Sequence, residues 1–125
     1  MGDRISIEYR KIDQLIPYAN NPRKNDKAVD AVAESIKEFG FKVPVIVDGH
    51  GEVIAGHTRI KAAKKLGMVE VPCILADDLT EQQIKAFRLA DNKTAELADW
   101  DDDLLAEELS GIFDIDMELF GFDLS

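Results

Sequence analysis

Cysteine is nearly absent from this 125-residue chain, and Cys73 is its only example. An internal disulfide is therefore excluded. Histidine is limited to His50 and His57, so no ligand pair has the spacing of a zinc site. Cys73 lies in the apolar run from Val69 to Ala76, where burial raises a thiol's pKa instead of activating it. A Cys–His nucleophile pair is not expected, and no serine stands in a nucleophile-elbow setting. Long hydrophobic runs are missing too. Without 18 consecutive apolar residues or a charged-then-apolar leader, the expectation is a soluble, cytoplasmic protein that does not contact a membrane. Basic residues are missing from one end: residues 95–125 hold eleven acids and no Lys or Arg. That leaves 14 of the 25 acids and all 15 bases in residues 1–94, a balance of +1. The net charge of −10 therefore belongs to the tail, and such a distribution excludes strong binding to random duplex DNA.

What is present is enough apolar residue, 46%, for one small domain of about residues 1–94 plus an acidic helical tail, 95–125. Ile5, Ile7 and Tyr9 alternate with polar residues and predict a half-buried first strand. A turn-rich loop, Asn20 to Asp26, carries Arg23 and Lys24. Asn25 or Asp26 can cap a helix from about Lys27 to Phe39, with Ala28, Val29, Val32, Ala33, Ile36 and Phe39 on one face and Gly40 as its stop. Val43 to Val47 reads as a strand starting near Pro44, and Asp48-Gly49-His50-Gly51 as a tight return turn. Glu70 to Ala76 is a further strand. Thr80 and Gln83 form a capping box for a helix reaching about Asn92. In the tail, Asp101 to Asp103 start a helix running to about Leu109. Phe113, Phe120 and Phe122 beyond it need a surface to cover, on this domain or on a partner.

The stretch richest in chemistry is Glu52 to Ala63. Val53, Ile54 and Ala55 read as a strand, Gly56 as a turn that a side chain would forbid, and Thr58 as the cap of a basic helix that ends at Gly67. A helix start presents unpaired N–H groups and the positive end of the dipole. Here Arg59 and Lys61 add charge, and His57 and Thr58 add hydrogen-bond donors, which together suit a phosphate. An ordinary strand–turn–helix joint with solvated bases is the other reading of the same spacing. Asp91 and Asn92 supply oxygens of the kind Mg²⁺ prefers; a merely polar helix end is their alternative.

Four blocks in order resemble the ParB/sulfiredoxin superfamily. They are Asn21-Pro22-Arg23-Lys24, the segment Ser35 to Pro44, Ala55-Gly56-His57-Thr58-Arg59-Ile60-Lys61-Ala62-Ala63, and Asp91-Asn92. From Leu89 to Asp101, and again near Leu119 to Phe122, the chain is similar to the ParB-like domain at the front of phage and prophage DNA methylases. The resemblance implies an α+β fold, a small mixed sheet with flanking helices, and a bacterial setting in DNA modification or partition. It also implies CTP or ATP with Mg²⁺ as ligand. The nucleotide contacts carried over are Arg23, Ser35, Gly40, Gly56, His57, Thr58, Arg59 and Lys61, with Asp91 and Asn92 toward the metal. A methylase or partition partner docking on the acidic tail is expected, and homodimerisation is among the expected associations. His57 stands where sulfiredoxins carry their catalytic Cys, so sulfinic-acid reduction is not expected; at most the chain is a slow triphosphatase. Thr58 replaces the first Arg of the ParB box, Val43 its base-side Gln, and Lys93-Thr94 its Gln-Arg. No helix-turn-helix reader follows, so a complete partition protein is not expected either. The alternatives are a protein-interaction module with a vestigial pocket and, more weakly, a ParB-like nuclease.

Overall fold

The computed structural model describes residues 4–19, 21 and 26–124. The expected loop contact Arg23 lies outside the described residues. Four strands, β1 (Ile7–Lys11), β2 (Val45–Val47), β3 (Val53–Ala55) and β4 (Glu70–Leu75), form one sheet in the order β1-β4-β2-β3. β1 runs antiparallel to β4, β4 parallel to β2, and β2 antiparallel to β3, so the sheet is mixed as expected. The helices are α1 (Asp26–Phe39), α2 (His57–Lys65), α3 (Glu81–Leu97) and α4 (Asp102–Ser110).

Alternation decides which residues form the core. Val45, Val47, Val53, Val71 and Cys73 leave the sheet on one side and meet Ile12, Leu15, Ile60 and Ala63. Ala33 and Ile36 of α1 close on Ala62 of α2, and the small alanine lets the two helices approach. A buried Val or Ile contributes about 1.5–3 kcal/mol, so these two clusters hold most of the fold together. Cys73 is fully buried within them, and that burial pushes its thiol pKa up, as its apolar run implies.

The first strand forms, but its apolar face is not half-buried: Ile5, Ile7 and Tyr9 are 71%, 57% and 64% exposed. The register explains this. Ile7 lies opposite Ile74 and Tyr9 opposite Pro72, on the side away from Cys73 and Val71 and hence away from α1 and α2. α3 packs on that side at β3, the far edge of the sheet. β2 begins at Val45 and not Val43; Pro44 offers no N–H for the ladder, and Val43 is exposed.

Asp48 shapes the β2–β3 return. Its Oδ1 accepts the N–H groups of His50 and Glu52 at 2.8 and 2.9 Å. α3 opens on the expected capping box, with Thr80 Oγ1 accepting Gln83 N–H and Gln83 Oε1 accepting Thr80 N–H. It then runs to Leu97, five residues beyond the expected end. Nothing in Lys93-Thr94-Ala95-Glu96 breaks a helix, and Thr94 Oγ1 returns its hydroxyl to the Ala90 carbonyl. Asp101 caps α4, accepting Leu104 N–H at 3.1 Å. Beyond α4, a 3-10 turn, Met117–Phe120, lays Phe120 against Phe39 of α1 with ring centroids 5.5 Å apart. Trp100 meets Phe122 at 5.8 Å, while Phe113 stays 87% exposed. No helix among the described residues is long and apolar enough to cross a membrane.

Candidate phosphate-binding site

β3 ends at Ala55 and the chain turns into α2 through Gly56, whose φ of +111° is left-handed. A Cβ there would lie 3.1 Å from Val45 Cγ2, 3.2 Å from Arg59 Nη2 and 3.3 Å from Val45 Cα. A side chain at this turn would be strained by the dihedral and tight against β2. This also corrects the expected cap. Gly56 is the N-cap and has no side chain with which to cap the helix, and Thr58 lies within its first turn. An N-cap side chain acts from an extended backbone, which a left-handed entry does not provide. The first N–H groups of α2 have no intrahelical partner, and the glycine cap has no side chain to offer them an acceptor. At the other end Gly67 takes φ +77°. Met68 N–H bonds to Ala63 O and Gly67 N–H to Lys64 O, closing the helix where the sequence indicates.

A small cavity of about 90 Å³ opens over this turn, walled by residues 54–59, Asn21, Arg88, Asp91 and Asn92. It is much smaller than the cleft of about 420 Å³ on the other side of Arg88. His57 Nε2 accepts the Tyr18 N–H at 3.2 Å, which leaves Nδ1 as the proton-bearing nitrogen. Burial, then Arg88, then Lys61 lower its pKa below the ordinary 6.5. Arg59 is largely buried. Its Nη2 donates to the Pro44 carbonyl at 3.1 Å, and its Nε is buried without an acceptor among the described residues. Burial lowers its pKa and the nearby Asp91 partly restores it.

Expected site residues divide accordingly. Gly56, His57, Thr58 and Arg59 share one cavity with Asp91 and Asn92, which reach it from the body of α3 and not from its end. Ser35, half-buried on α1, and Gly40, at φ +84° beyond α1, are not in that wall. Lys61 is exposed and borders a separate apolar recess with Ile12, Leu15 and Ile60.

Arg88 was not expected. Only 4% exposed, it donates from Nε to Ile54 O at 3.3 Å and from Nη2 to Val53 O at 3.1 Å, and its Cζ lies 3.5 Å from the Tyr18 ring centroid. The signal was in the spacing: Arg88 follows Ile84 by four residues, on the same face of α3 as the half-buried Ile84. A larger cleft of about 420 Å³ lies on the other side of Arg88 and Tyr18. Asp48, Glu52, Asp77 and Glu81 line it against Lys85 and Arg88, so acids outnumber bases there and phosphate is disfavoured despite the greater volume. Among the described residues, no group of three or more His, Cys, Asp or Glu side chains is placed to share a metal ion.

The arrangement fits an anionic group. It combines a glycine that a Cβ would fill, an uncapped helix start, an orphaned guanidinium N–H and an excess of cations over the single acid Asp91.

Residues 2–93 match the sequence profile of the ParB N-terminal domain. The chain is 44% identical over 84 residues to the ParB-like nuclease domain-containing protein YnaK of Escherichia coli K12, covering 66% of this chain and 97% of that one. Its fold is similar to a C-terminally truncated chromosome-partitioning protein ParB from Caulobacter crescentus complexed with CTP-γ-S, with TM-score 0.68, 24% identity, and 84% and 60% of the two chains covered. It is also similar to sulfiredoxin from Arabidopsis thaliana, with TM-score 0.55, 23% identity, and 67% and 97% covered. The chain spans a third or less of the curated partitioning proteins it matches.

Proposed function

The chain belongs to the ParB N-terminal domain family, and from that premise we propose that the Gly56 turn binds the phosphates of a nucleoside triphosphate, CTP or ATP, with Mg²⁺. The observation that carries the reading is the closed approach at Gly56 over an uncapped helix start, because it puts backbone N–H groups where a phosphate oxygen can accept them. Arg59 and the hydroxyl of Thr58 add side-chain donors, and His57 adds Nδ1–H. Asp91 and Asn92 would hold the ion, which when bound would supply positive charge to offset that of the phosphates. Ser35 and Gly40, which are not in the cavity wall, are assigned to the nucleoside end of the ligand. That the Caulobacter protein of the same fold carries CTP-γ-S supports this ligand class.

The phosphate site belongs to the body, residues 1–94. The acidic tail, residues 95–125, serves as a docking segment for a partner in DNA modification or partition, and with its charge the chain does not hold DNA strongly by itself. A second reading, an interaction module with a vestigial pocket, draws on two facts: the cavity is small, and one arm of Arg59 is already committed to Pro44. Titration calorimetry against CTP, ATP and GTP, with and without Mg²⁺, separates the two. Saturable binding strengthened by Mg²⁺ supports the nucleotide site, and no heat at millimolar ligand leaves the interaction module.

A further inference from the structure

We propose that Arg88 is a second phosphate-binding arginine of this site, delivered by α3 and not by the Gly56 turn; the proposal rests on the nucleotide reading above. The bland account of Arg88 is a clamp that satisfies two carbonyls of β3, and that account is incomplete. A guanidinium has five N–H donors. The bonds to Val53 and Ile54 use one on Nε and one on Nη2, and the other three have no partner among the described residues. No carboxylate among those residues lies within ion-pair distance of it. A cation only 4% exposed, with no counter-charge among the described residues, is poised for an anion that provides one.

Two cavities border Arg88, and charge chooses between them. Besides Arg88, the larger cleft presents four acids, Asp48, Glu52, Asp77 and Glu81, against one base, Lys85, a balance that disfavours phosphate, while the cradle adds Arg59 against a single acid, Asp91. The guanidinium plane is also fixed in advance. Tyr18 stacks on it at 3.5 Å, and the Tyr18 N–H is tied to His57 at the start of α2. Arg88 therefore faces the phosphate from the β3 side with little ordering left to pay.

The test titrates inorganic tripolyphosphate into the wild type, Arg59→Ala, Arg88→Met and the double variant Thr58→Arg/Arg88→Met. Urea midpoints are measured for each. In parallel, the arginine side-chain ¹⁵N resonances of the wild type are followed during titration. The expected results are a tenfold or greater loss for Arg88→Met, partial recovery in the double variant, and movement of the Arg88 guanidinium signals on binding. If the wild type binds and Arg59→Ala weakens it, but the Arg88 signals stay still or a folded Arg88→Met binds as tightly, then Arg88 is only a clamp and the cradle stands. If the wild type does not bind at millimolar ligand, the nucleotide reading falls and this proposal with it. Should Arg88→Met fail to fold, the wild-type resonances decide alone.

Discussion

Replacing Gly56 by alanine probes the close approach on which the site is built. Two costs add. A non-glycine residue at φ +111° is strained by about 1–3 kcal/mol. The new Cβ would also press on Val45, fully buried, at 3.1 Å from Cγ2 and 3.3 Å from Cα. The second contact is backbone and cannot swing aside, so overpacking costs about another 1–3 kcal/mol. The expected loss is about 2–6 kcal/mol, a large share of the roughly 5–15 kcal/mol that holds a small domain together. Gly67 is the control, because it is also left-handed, at φ +77°, but a Cβ there would meet nothing within 4 Å. Gly67→Ala is expected to cost only the dihedral strain, about 1–2 kcal/mol. Equilibrium urea unfolding of both variants, with equal m-values, measures the difference. If Gly56→Ala costs no more than Gly67→Ala, β2 does not crowd the turn and the cradle geometry is wrong.

Asp91→Ala is expected to weaken triphosphate binding only when Mg²⁺ is present, because its role passes through the ion; calorimetry in EDTA and in Mg²⁺ gives the two values. His57 bears on pH. Its folded-state pKa is lowered, so the neutral form stabilises the fold above the unfolded value of 6.5, and that contribution is lost as pH falls below 6.5 toward the folded pKa. Thermal unfolding from pH 7.5 down to pH 5 should show a decline that His57→Gln flattens. Phe120→Ala removes the tail's ring contact with Phe39, worth about 1 kcal/mol, and is expected to make residues 111–124 more susceptible to limited proteolysis than in the wild type.

The elements legible in the sequence were those whose ends carry their own chemistry. Thr80 and Gln83 opened α3 as expected, Asp101 opened α4, and Gly40 and Gly67 lie just beyond the ends of α1 and α2. Alternation found β1 but not its exposure, since periodicity shows that two faces differ and not which one the helices cover. Thr58 was misplaced as a cap because composition at a helix start does not reveal the entry dihedral. Asp91 and Asn92 were expected at a helix end, yet α3 continues past them for want of any breaking residue. Arg88 was missed for another reason. A lone base on a helix reads as solvated, and only the fold brings it beneath the carbonyls of β3.

The central claim is that phosphate oxygens sit on the first N–H groups of α2. The most direct measurement follows backbone amide shifts of ¹⁵N-labelled protein during titration with a slowly hydrolysed CTP or ATP analogue in Mg²⁺. The account predicts that the amides of His57, Thr58 and Arg59 move downfield together and saturate at one affinity, as N–H groups do when they gain an anionic acceptor. Saturable binding that leaves those three amides in place, and moves instead the residues of the acidic cleft at Asp48 and Glu81, would contradict it.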